Sequence, residues 1–420
     1  MKSIAVVCLA LAGFVAAIGC AWGRRVDVMP SSAADLAKVV SQAAAGDTLV
    51  LHPGIHRTAE VLVNKRLTIL GRAGAVVDGG ERGQVVTVSA DGVWMEGMTI
   101  RNTARGNIFD YAAVKAIQCS QITLKRLTIE NAFFGIYLSE VQDSRVTANR
   151  VTGGRTPETN AGNGFHLWQC KRITIDDNEV SGHRDGIYFE FVYESKIERN
   201  RSRSNLRYGL HFMFSNDNVY TGNWFDDNGA GVAVMYSKRV TMRRNQFVAN
   251  RGGSAYGLLL KELSDCTIEN NVFSDNTTGL FVDGCNRMGI RSNGFFGNGW
   301  AVRLMSNCVN DTLETNNFSG NTFDVSTNGV SFENRLASNY WDRYQGYDLN
   351  RDGVGDVPHH PVSLFSTIAE RLPAALLLNR SLAAQAMDQV ERVVPSLTPP
   401  GLFDAVPSLR PHELNLPPLP

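Results

Sequence analysis

The strongest constraint on this sequence is a short motif that returns at a nearly constant interval. Asn-x-Phe-x-x-Asn occurs five times, starting at Asn223, Asn245, Asn271, Asn293 and Asn316. A second motif, Gly followed by apolar-x-apolar, recurs with much the same spacing from Gly135 to Gly299. Because two independent motifs share an interval of mostly 22–23 residues, the sequence predicts a repeat architecture.

The length of the repeat indicates which architecture this is. The interval is too short for a propeller blade, and the L-x-x-L-x-L frame of leucine-rich repeats is missing. Alternation within Ile136-x-Leu138 and Leu210-x-Phe212 places every second side chain on the inner face of a strand. We therefore predict an all-β fold, a right-handed parallel β-helix of three short strands per coil, over residues 30–338.

The abundance of Asn and of Gly, with 39 Gly in the chain, has a cause in this fold. Tight corners favour residues that tolerate a left-handed backbone, and Gly and Asn tolerate it best. Stacked Asn side chains can also hydrogen-bond along a ladder and satisfy corner groups that water does not reach. The repeated Asn residues are therefore expected to be structural.

Both ends of the β-helix are expected to carry other structure. Residues 32–45 read as an amphipathic helix with Ser31 or Ser32 as N-cap, which would cover the open first coil, and the first strand is predicted at residues 48–52. An Asp/Asn/Gly-rich turn segment is predicted at 339–361. Residues 362–420 form an extension that is helical from 363 to 394, interrupted at Pro373, and then Pro-rich and extended.

The first residues predict export. Lys2, an apolar run over residues 4–18 and the small residues that follow are typical of a signal peptide spanning residues 1–21. Two outcomes stay open: cleavage after Ala21, or a lipobox that leaves Cys20 lipid-anchored. Either places the mature protein in the periplasm. The balance of 41 basic and 41 acidic residues argues against a nucleic-acid binder.

The repeat also predicts which side chains face outward from each Gly-containing strand. Two outward columns follow. The first holds Tyr137, His166, Tyr188, His211, Ala233, Leu259, Phe281 and Ala301. The second holds Ser139, Trp168, Glu190, Met213, Met235, Lys261, Asp283 and Arg303.

Adjacent coils are about 4.8 Å apart, so His211, Met213 and Met235 should form one patch, with His166 on a coil nearer the N-terminus. Thioether and imidazole ligands suit Cu(I), which would be the cargo of such a site. The alternative is an apolar docking surface covered by a partner or by the C-terminal segment.

Two other groups of polar residues have competing interpretations. Asp176, Asp177, Asp185 and Glu190 could serve sugar hydrolysis or elimination, or be ordinary solvated acids. The oxygen-bearing side chains of Asp348, Asn350, Asp352 and Asp356 follow the alternate spacing of a calcium loop. Because His359 replaces the Glu of an EF-hand, a different calcium turn or a metal-free turn is expected.

The cysteines do not predict a zinc site, because no CxxC and no paired Cys/His spacing occurs. Cys285 and Cys308 lie at equivalent positions of neighbouring coils. A disulfide between them is sterically conceivable, but stacked free thiols are the expectation.

Several stretches resemble one known family, and together they cover essentially the mature chain. They are residues 164–168, 182–191, 205–215, 229–237, 256–262 and 339–358. The chain resembles the NosD family, periplasmic copper-binding-type proteins needed for maturation of nitrous-oxide reductase. The resemblance implies a non-enzymatic role beside an ABC-type ATPase with its membrane permease, a copper-chaperone lipoprotein and apo nitrous-oxide reductase.

Together these observations predict a periplasmic accessory protein for copper-site maturation. It would receive or relay Cu(I) through the outward His and Met side chains and dock an ABC transporter through residues 363–420. The alternative is a polysaccharide lyase, epimerase or hydrolase of similar architecture, which would need an acid/base groove on the same face.

Overall fold

The computed structural model describes residues 23–30, 35–106, 109–154, 157–329, 333–379, 381–393 and 401–415. The repeat forms the predicted parallel β-helix, in which three sheets of 14, 13 and 12 strands run the length of the molecule. Each coil contributes one strand to each sheet, and each strand pairs in parallel with its equivalents on the adjacent coils. The predicted signal peptide, Cys20, Ser31 and Ser32 lie outside the described residues.

Sheet A contains the first strand of each coil. Its strands are Arg25–Val28, Thr48–Leu51, Thr68–Gly71, Trp94–Glu96, Thr123–Lys125, Gln142–Thr147, Lys171–Asp176, Lys196–Glu198, Val219–Thr221, Thr241–Arg243, Thr267–Glu269, Gly289–Arg291, Thr312–Glu314 and Arg335–Ala337.

Sheet B follows sheet A along each coil. Its strands are Gly54–Arg57, Ala75–Asp78, Thr99–Arg101, Thr128–Ala132, Arg150–Gly153, Glu179–Ser181, Arg201–Arg203, Trp224–Asp226, Gln246–Val248, Val272–Ser274, Gly294–Phe296, Asn317–Ser319 and Tyr340–Trp341.

Sheet C closes each coil and contains the Gly-apolar-x-apolar motif. Its strands are Val61–Val63, Val86–Val88, Ala112–Ile117, Phe134–Ser139, Phe165–Trp168, Ile187–Glu190, Tyr208–Met213, Ala230–Met235, Tyr256–Lys261, Thr278–Asp283, Trp300–Leu304 and Phe323–Ser326.

The first Asn of each repeat motif forms the predicted ladder inside the corner between sheets A and B, and the second Asn forms a similar ladder between sheets B and C, as in Asn250 to Asn276. Each side-chain Nδ2 donates to Oδ1 of the equivalent Asn on the next coil, as in Asn223 to Asn245 and Asn245 to Asn271, both at 3.0 Å. The same Oδ1 also accepts the backbone N–H of the preceding ladder residue. The corner backbone is therefore satisfied without water.

The Phe of the repeat motif forms a second stack within the core. The rings of Phe225, Phe247, Phe273, Phe295, Phe318 and Trp341 stack on one another with centroids 4.2–5.6 Å apart. The recurring spacing of the motif therefore reflects one buried aromatic and two buried Asn side chains per coil, and all three serve the packing of the coils.

The C-terminal tail completes the Asn ladder. Buried Asp404 lies beyond the last ladder residue, and its Oδ2 accepts Nδ2–H of Asn339 at 3.0 Å and Nε1–H of Trp341 at 3.2 Å. The described tail, residues 401–415, is non-helical as predicted, and Tyr340 and Ser408 form a parallel bridge. The tail thereby protects the open end of the β-helix.

The first coil differs in detail from the prediction. A strand, Arg25–Val28, precedes the helix and pairs with Thr48–Leu51, so the first strand lies earlier than predicted. The helix spans Leu36–Gln42, and Asp35 is its N-cap, accepting the N–H of Ala37 at 3.1 Å. Asp35 suits this position because its carboxylate satisfies an N–H that has no partner within the helix.

The C-terminal extension contains an α-helix at Leu364–Arg371, a 3-10 helix at Pro373–Leu378 and an α-helix at Leu382–Val393, with the predicted interruption at Pro373. Within the described part of the chain, no helix has the length and apolar character that a membrane span requires.

Cys285 and Cys308 are buried free thiols, in agreement with the expectation.

Replacing Asp404 tests the role of the tail. We expect Asp404→Ala to lower the free energy of unfolding by about 1–3 kcal/mol, because buried donors of Asn339 and Trp341 lose their acceptor. Asp404→Asn keeps an amide oxygen at the ladder position and should cost less. Urea unfolding would measure both, and equal losses in the two variants would contradict the ladder role.

Candidate functional site

The outer face of sheet C carries the predicted columns in the predicted register over most of their length. Tyr188 pairs with His211, and Met213 pairs with Met235 on the next coil. The final coil of the predicted columns differs from the prediction, because Phe281 pairs with Arg303 rather than with Ala301. Ala301 is fully buried, and Arg303 belongs to the first column. The interval from Gly279 to Gly299 is two residues shorter than the interval from Gly257 to Gly279, and this difference shifts the outward positions.

The structure brings three of the predicted ligands together. His211 and Met213 are two residues apart on one strand, and Met235 is the direct neighbour of Met213. The Tyr188 hydroxyl lies 3.8 Å from the Met213 sulfur and 3.3 Å from Oε2 of Glu190. We call His211, Met213 and Met235 the copper patch. Its two thioethers and one imidazole are a soft ligand set.

His166 lies apart from the copper patch. Its ring stacks between Tyr137 at 4.5 Å and Tyr188 at 4.8 Å, and Tyr188 in turn contacts His211 at 5.1 Å. Tyr188 therefore separates the two imidazoles, and one ion cannot bind both in this arrangement. Burial, reinforced by Arg184, lowers the pKa of His166 to about 3, so its ring is neutral.

A third outward column, which we did not predict, borders the patch. It consists of the residues that precede each motif Gly, among them Asn163, Asp185 and Tyr208. Asp185 is fully buried, and its Oδ2 lies 3.5 Å from Nδ1 of His211. Strand alternation does not identify this column, because Tyr208 is three positions before His211 and alternation would place the two on opposite faces. The alternation breaks at the motif Gly, where a Cβ on Gly209 would point into the core against Phe225.

An exposed aromatic ridge borders the patch on its other side. Phe191, Phe214 and Tyr236 stack with centroids 5.4 and 5.1 Å apart, and the last two are 38% and 41% exposed. All three have left-handed backbones, with φ of 55°, 50° and 53°. Among the described residues they are the only aromatics with positive φ. This conformation is unfavourable for bulky residues, so packing alone does not explain the ridge.

The candidate catalytic acids do not form an acid/base groove. Asp176 and Asp177 lie beside sheet A, where Arg145 donates to Asp176 at 3.0 Å and Arg199 donates to Asp177 at 2.8 Å. The hydrogen bonds from Arg199 lower the pKa of Asp177. These two carboxylates are therefore structural partners of arginines on neighbouring coils and lie on a different sheet from Asp185 and Glu190.

The calcium-like loop is folded around its own backbone. Asp348 accepts the N–H groups of Asp352 and Gly353 at 3.2 and 2.9 Å, and Asp356 accepts that of Leu349 at 2.6 Å. Asn350 Oδ1 also accepts the Asp352 N–H. Across the described ranges, no three His, Cys, Asp or Glu side chains are grouped to hold a metal ion. Calcium binding at this loop stays a prediction.

The C-terminal helices cover a different part of sheet C. Phe365 contacts Phe323 at 5.9 Å, and Phe323 stacks on Trp300 at 4.2 Å. Arg303 donates to Glu370 at 3.1 Å in a largely buried ion pair. This contact begins three coils beyond Met235, so it does not cover the copper patch.

Comparison with known proteins finds a family match that spans the coils carrying this face. Residues 149–346 match the family model described as periplasmic copper-binding protein (NosD). The matched range contains the copper patch, Asp185 and the aromatic ridge, and it ends before Asp348. A Pseudomonas aeruginosa protein named "Probable ABC transporter binding protein NosD" is 28% identical over 83% of this chain and 85% of its own length. Over these residues the chain is similar to the NosD family.

Solved structures similar to this chain show the fold alone. A Streptococcus pneumoniae surface adhesin, PfbA, is 12% identical with a TM-score of 0.53, covering 78% of this chain and 93% of its own. An α-1,3-glucanase of Streptomyces thermodiastaticus is 13% identical with a TM-score of 0.53, covering 75% and 64%. An adhesin and an enzyme match equally well, so function must come from the outward residues.

His166 gives the molecule a pH-dependent stability. Its pKa is about 3 in the folded state against 6.5 ordinarily, so the unfolded chain binds this proton more readily. Stability is therefore lost as pH falls below 6.5 and is unaffected by this group above that value. We expect His166→Phe, which preserves ring stacking, to reduce this loss by up to about 1.4 kcal/mol per pH unit. Urea unfolding in neutral and mildly acidic buffers would measure it, and parallel pH profiles would contradict it.

Proposed function

We propose that this protein is a periplasmic accessory protein for copper-site maturation of nitrous-oxide reductase, and that it receives or relays Cu(I). The observation that carries the proposal is the in-register pair Met213 and Met235 beside His211. Two thioethers and an imidazole suit Cu(I) and suit harder ions poorly. The family description as periplasmic copper-binding protein supports the same cargo and compartment.

The arrangement favours exchange over permanent storage. Met213 and Met235 are only partly buried, so an ion held by their sulfur atoms is reached from outside the β-helix. Three protein ligands leave room for a further ligand from a donor or acceptor protein. We propose a copper-chaperone lipoprotein as donor and apo nitrous-oxide reductase as acceptor, as the family resemblance implies.

An ABC-transporter permease is the proposed partner of the C-terminal extension. The name of the P. aeruginosa relative supports a transporter association. Within the extension, Leu377 is 90% exposed, Leu382 is 83% exposed and Leu372 is 59% exposed. Several exposed leucines on adjoining turns are typical of a surface that a partner covers. The neighbouring Phe365 face is occupied by contact with the β-helix.

A Cu(I) competition titration tests the copper patch. We expect Met213→Leu/Met235→Leu to weaken Cu(I) binding by at least about tenfold, because leucine preserves the apolar volume and removes both sulfur ligands. Met29→Leu is the control, since Met29 is 59% exposed and distant along the β-helix. Equal Cu(I) affinity in the wild type and the double variant would exclude the patch as the binding site.

The aromatic ridge tests contact with the copper donor. An ion passes between proteins only while both supply ligands, so a donor that reaches Met213 must overlie the adjacent Phe214. We expect Phe214→Asn/Tyr236→Asn to remain folded, because Asn tolerates positive φ better, while slowing copper transfer from the chaperone lipoprotein. Gln169→Asn, at an equivalent corner with φ of 52°, is the matched control.

Stopped-flow transfer from the Cu(I)-loaded chaperone and from a small Cu(I) chelate would separate docking from binding. The ridge variant should be slow with the protein donor and normal with the chelate. Slow transfer from both donors would indicate damage to the patch, and normal transfer from both would exclude the ridge as the docking surface.

A further inference from the structure

A buried carboxylate beside the copper patch lacks the partners that its burial requires. Asp185 is fully buried, and its Oδ1 accepts the backbone N–H of Tyr208 at 3.4 Å. Its Oδ2 has no hydrogen-bond partner among the described residues, and neither ring nitrogen of His211 has one. Unpartnered atoms of Asn163, His183 and Arg184 lie on the same and the adjacent coils. Such a concentration within a few coils calls for a functional explanation.

The nearest group able to satisfy Oδ2 is His211. Nδ1 of His211 lies 3.5 Å away, whereas Nε of Arg184 lies 4.0 Å away. The imidazole is 7% exposed and is held between the rings of Tyr188 and Tyr208, at centroid distances of 5.1 and 4.7 Å. A small rotation of the ring therefore brings Nδ1–H into hydrogen-bond range of Oδ2 without disturbing the stack.

We infer that Asp185 is a positioning residue, which accepts Nδ1–H of His211 and thereby leaves Nε2 unprotonated as the nitrogen that binds Cu(I). This inference rests on the proposed copper function. Imidazole coordinates a metal through a nitrogen that carries no proton, and its other N–H is commonly fixed by a carboxylate. Asp185 would thus select one tautomer before the ion arrives.

Asp185→Asn is the decisive substitution because the site constrains how the new amide lies. The Tyr208 N–H requires an acceptor, so the amide oxygen takes the place of Oδ1 and the NH2 group takes that of Oδ2. The NH2 group then donates to Nδ1 of His211, and the ring proton moves to Nε2. The volume is unchanged, but the tautomer is reversed.

The tautomer is measured first, in metal-free protein, by two-bond ¹⁵N–¹H correlation of the His211 ring. We expect the Nδ1–H form in the wild type and the Nε2–H form in Asp185→Asn. A Cu(I) competition titration should then show about 10- to 100-fold weaker binding in the variant. Circular dichroism would verify that the variant is folded.

Asp311→Asn is a matched control. Asp311 is also fully buried, with one oxygen accepting the Met288 N–H at 2.9 Å and the other unpartnered, but it lies beside sheet A. This variant should change neither the His211 tautomer nor Cu(I) affinity.

The outcomes separate this inference from the proposed function. The role of Asp185 would be overturned if the wild type carries the Nε2–H tautomer. It would also be overturned if Asp185→Asn changes neither the tautomer nor the Cu(I) affinity, even when the Met213→Leu/Met235→Leu variant loses copper. Conversely, the tautomer could reverse as expected while Cu(I) affinity is unchanged in Met213→Leu/Met235→Leu. That result would refute the proposed copper patch, and with it the purpose assigned to Asp185.

Discussion

The ladder of side-chain amides is the interaction on which the rest of this structure depends. A corner between two strands buries backbone groups that no strand partner satisfies, and an unpaired buried group is costly. At the corner between sheets A and B, one Asn per coil satisfies them by accepting a backbone N–H and donating to a carbonyl. Asn200, for example, accepts the N–H of Asn178 and donates to the carbonyl of Ile175. Because each amide also bonds to the next, the coils are fixed in register with one another.

Fixed register is what allows the outer face of sheet C to carry chemistry. Inward positions are limited to apolar side chains that stack, whereas outward positions are free to differ from coil to coil. Met213 and Met235 are neighbours because the parallel register of sheet C pairs their strands. Similar β-helices can therefore serve unrelated functions, and their fold does not distinguish a metal-relay surface from an enzyme groove.

The sequence was sufficient to predict the coils, the ladder and the neighbouring positions of His211, Met213 and Met235, because strand alternation and the repeat interval are both regular. It was insufficient where regularity fails. The shortened interval before Trp300 moved Arg303 into the first column, and Asp404 reaches the ladder from a tail far along the chain. The Asp185 to His211 distance depends on side-chain geometry within a corner, which no spacing pattern encodes.

Three independent departures from ordinary protein chemistry fall on the same few coils. Bulky aromatics adopt positive φ at Phe191, Phe214 and Tyr236, thioethers face outward at Met213 and Met235, and one oxygen of the buried Asp185 carboxylate lacks a donor. At the other described positions with positive φ the corners use polar or small residues, and several of their carboxylates pair with arginines, as Asp217 does with Arg239. Asp311, beside sheet A, is another buried carboxylate with an unpartnered oxygen, but no outward thioether or aromatic with positive φ accompanies it. Local rules are expected to fail together where function demands it. This coincidence supports the proposed working surface on sheet C better than any one of the three features does alone.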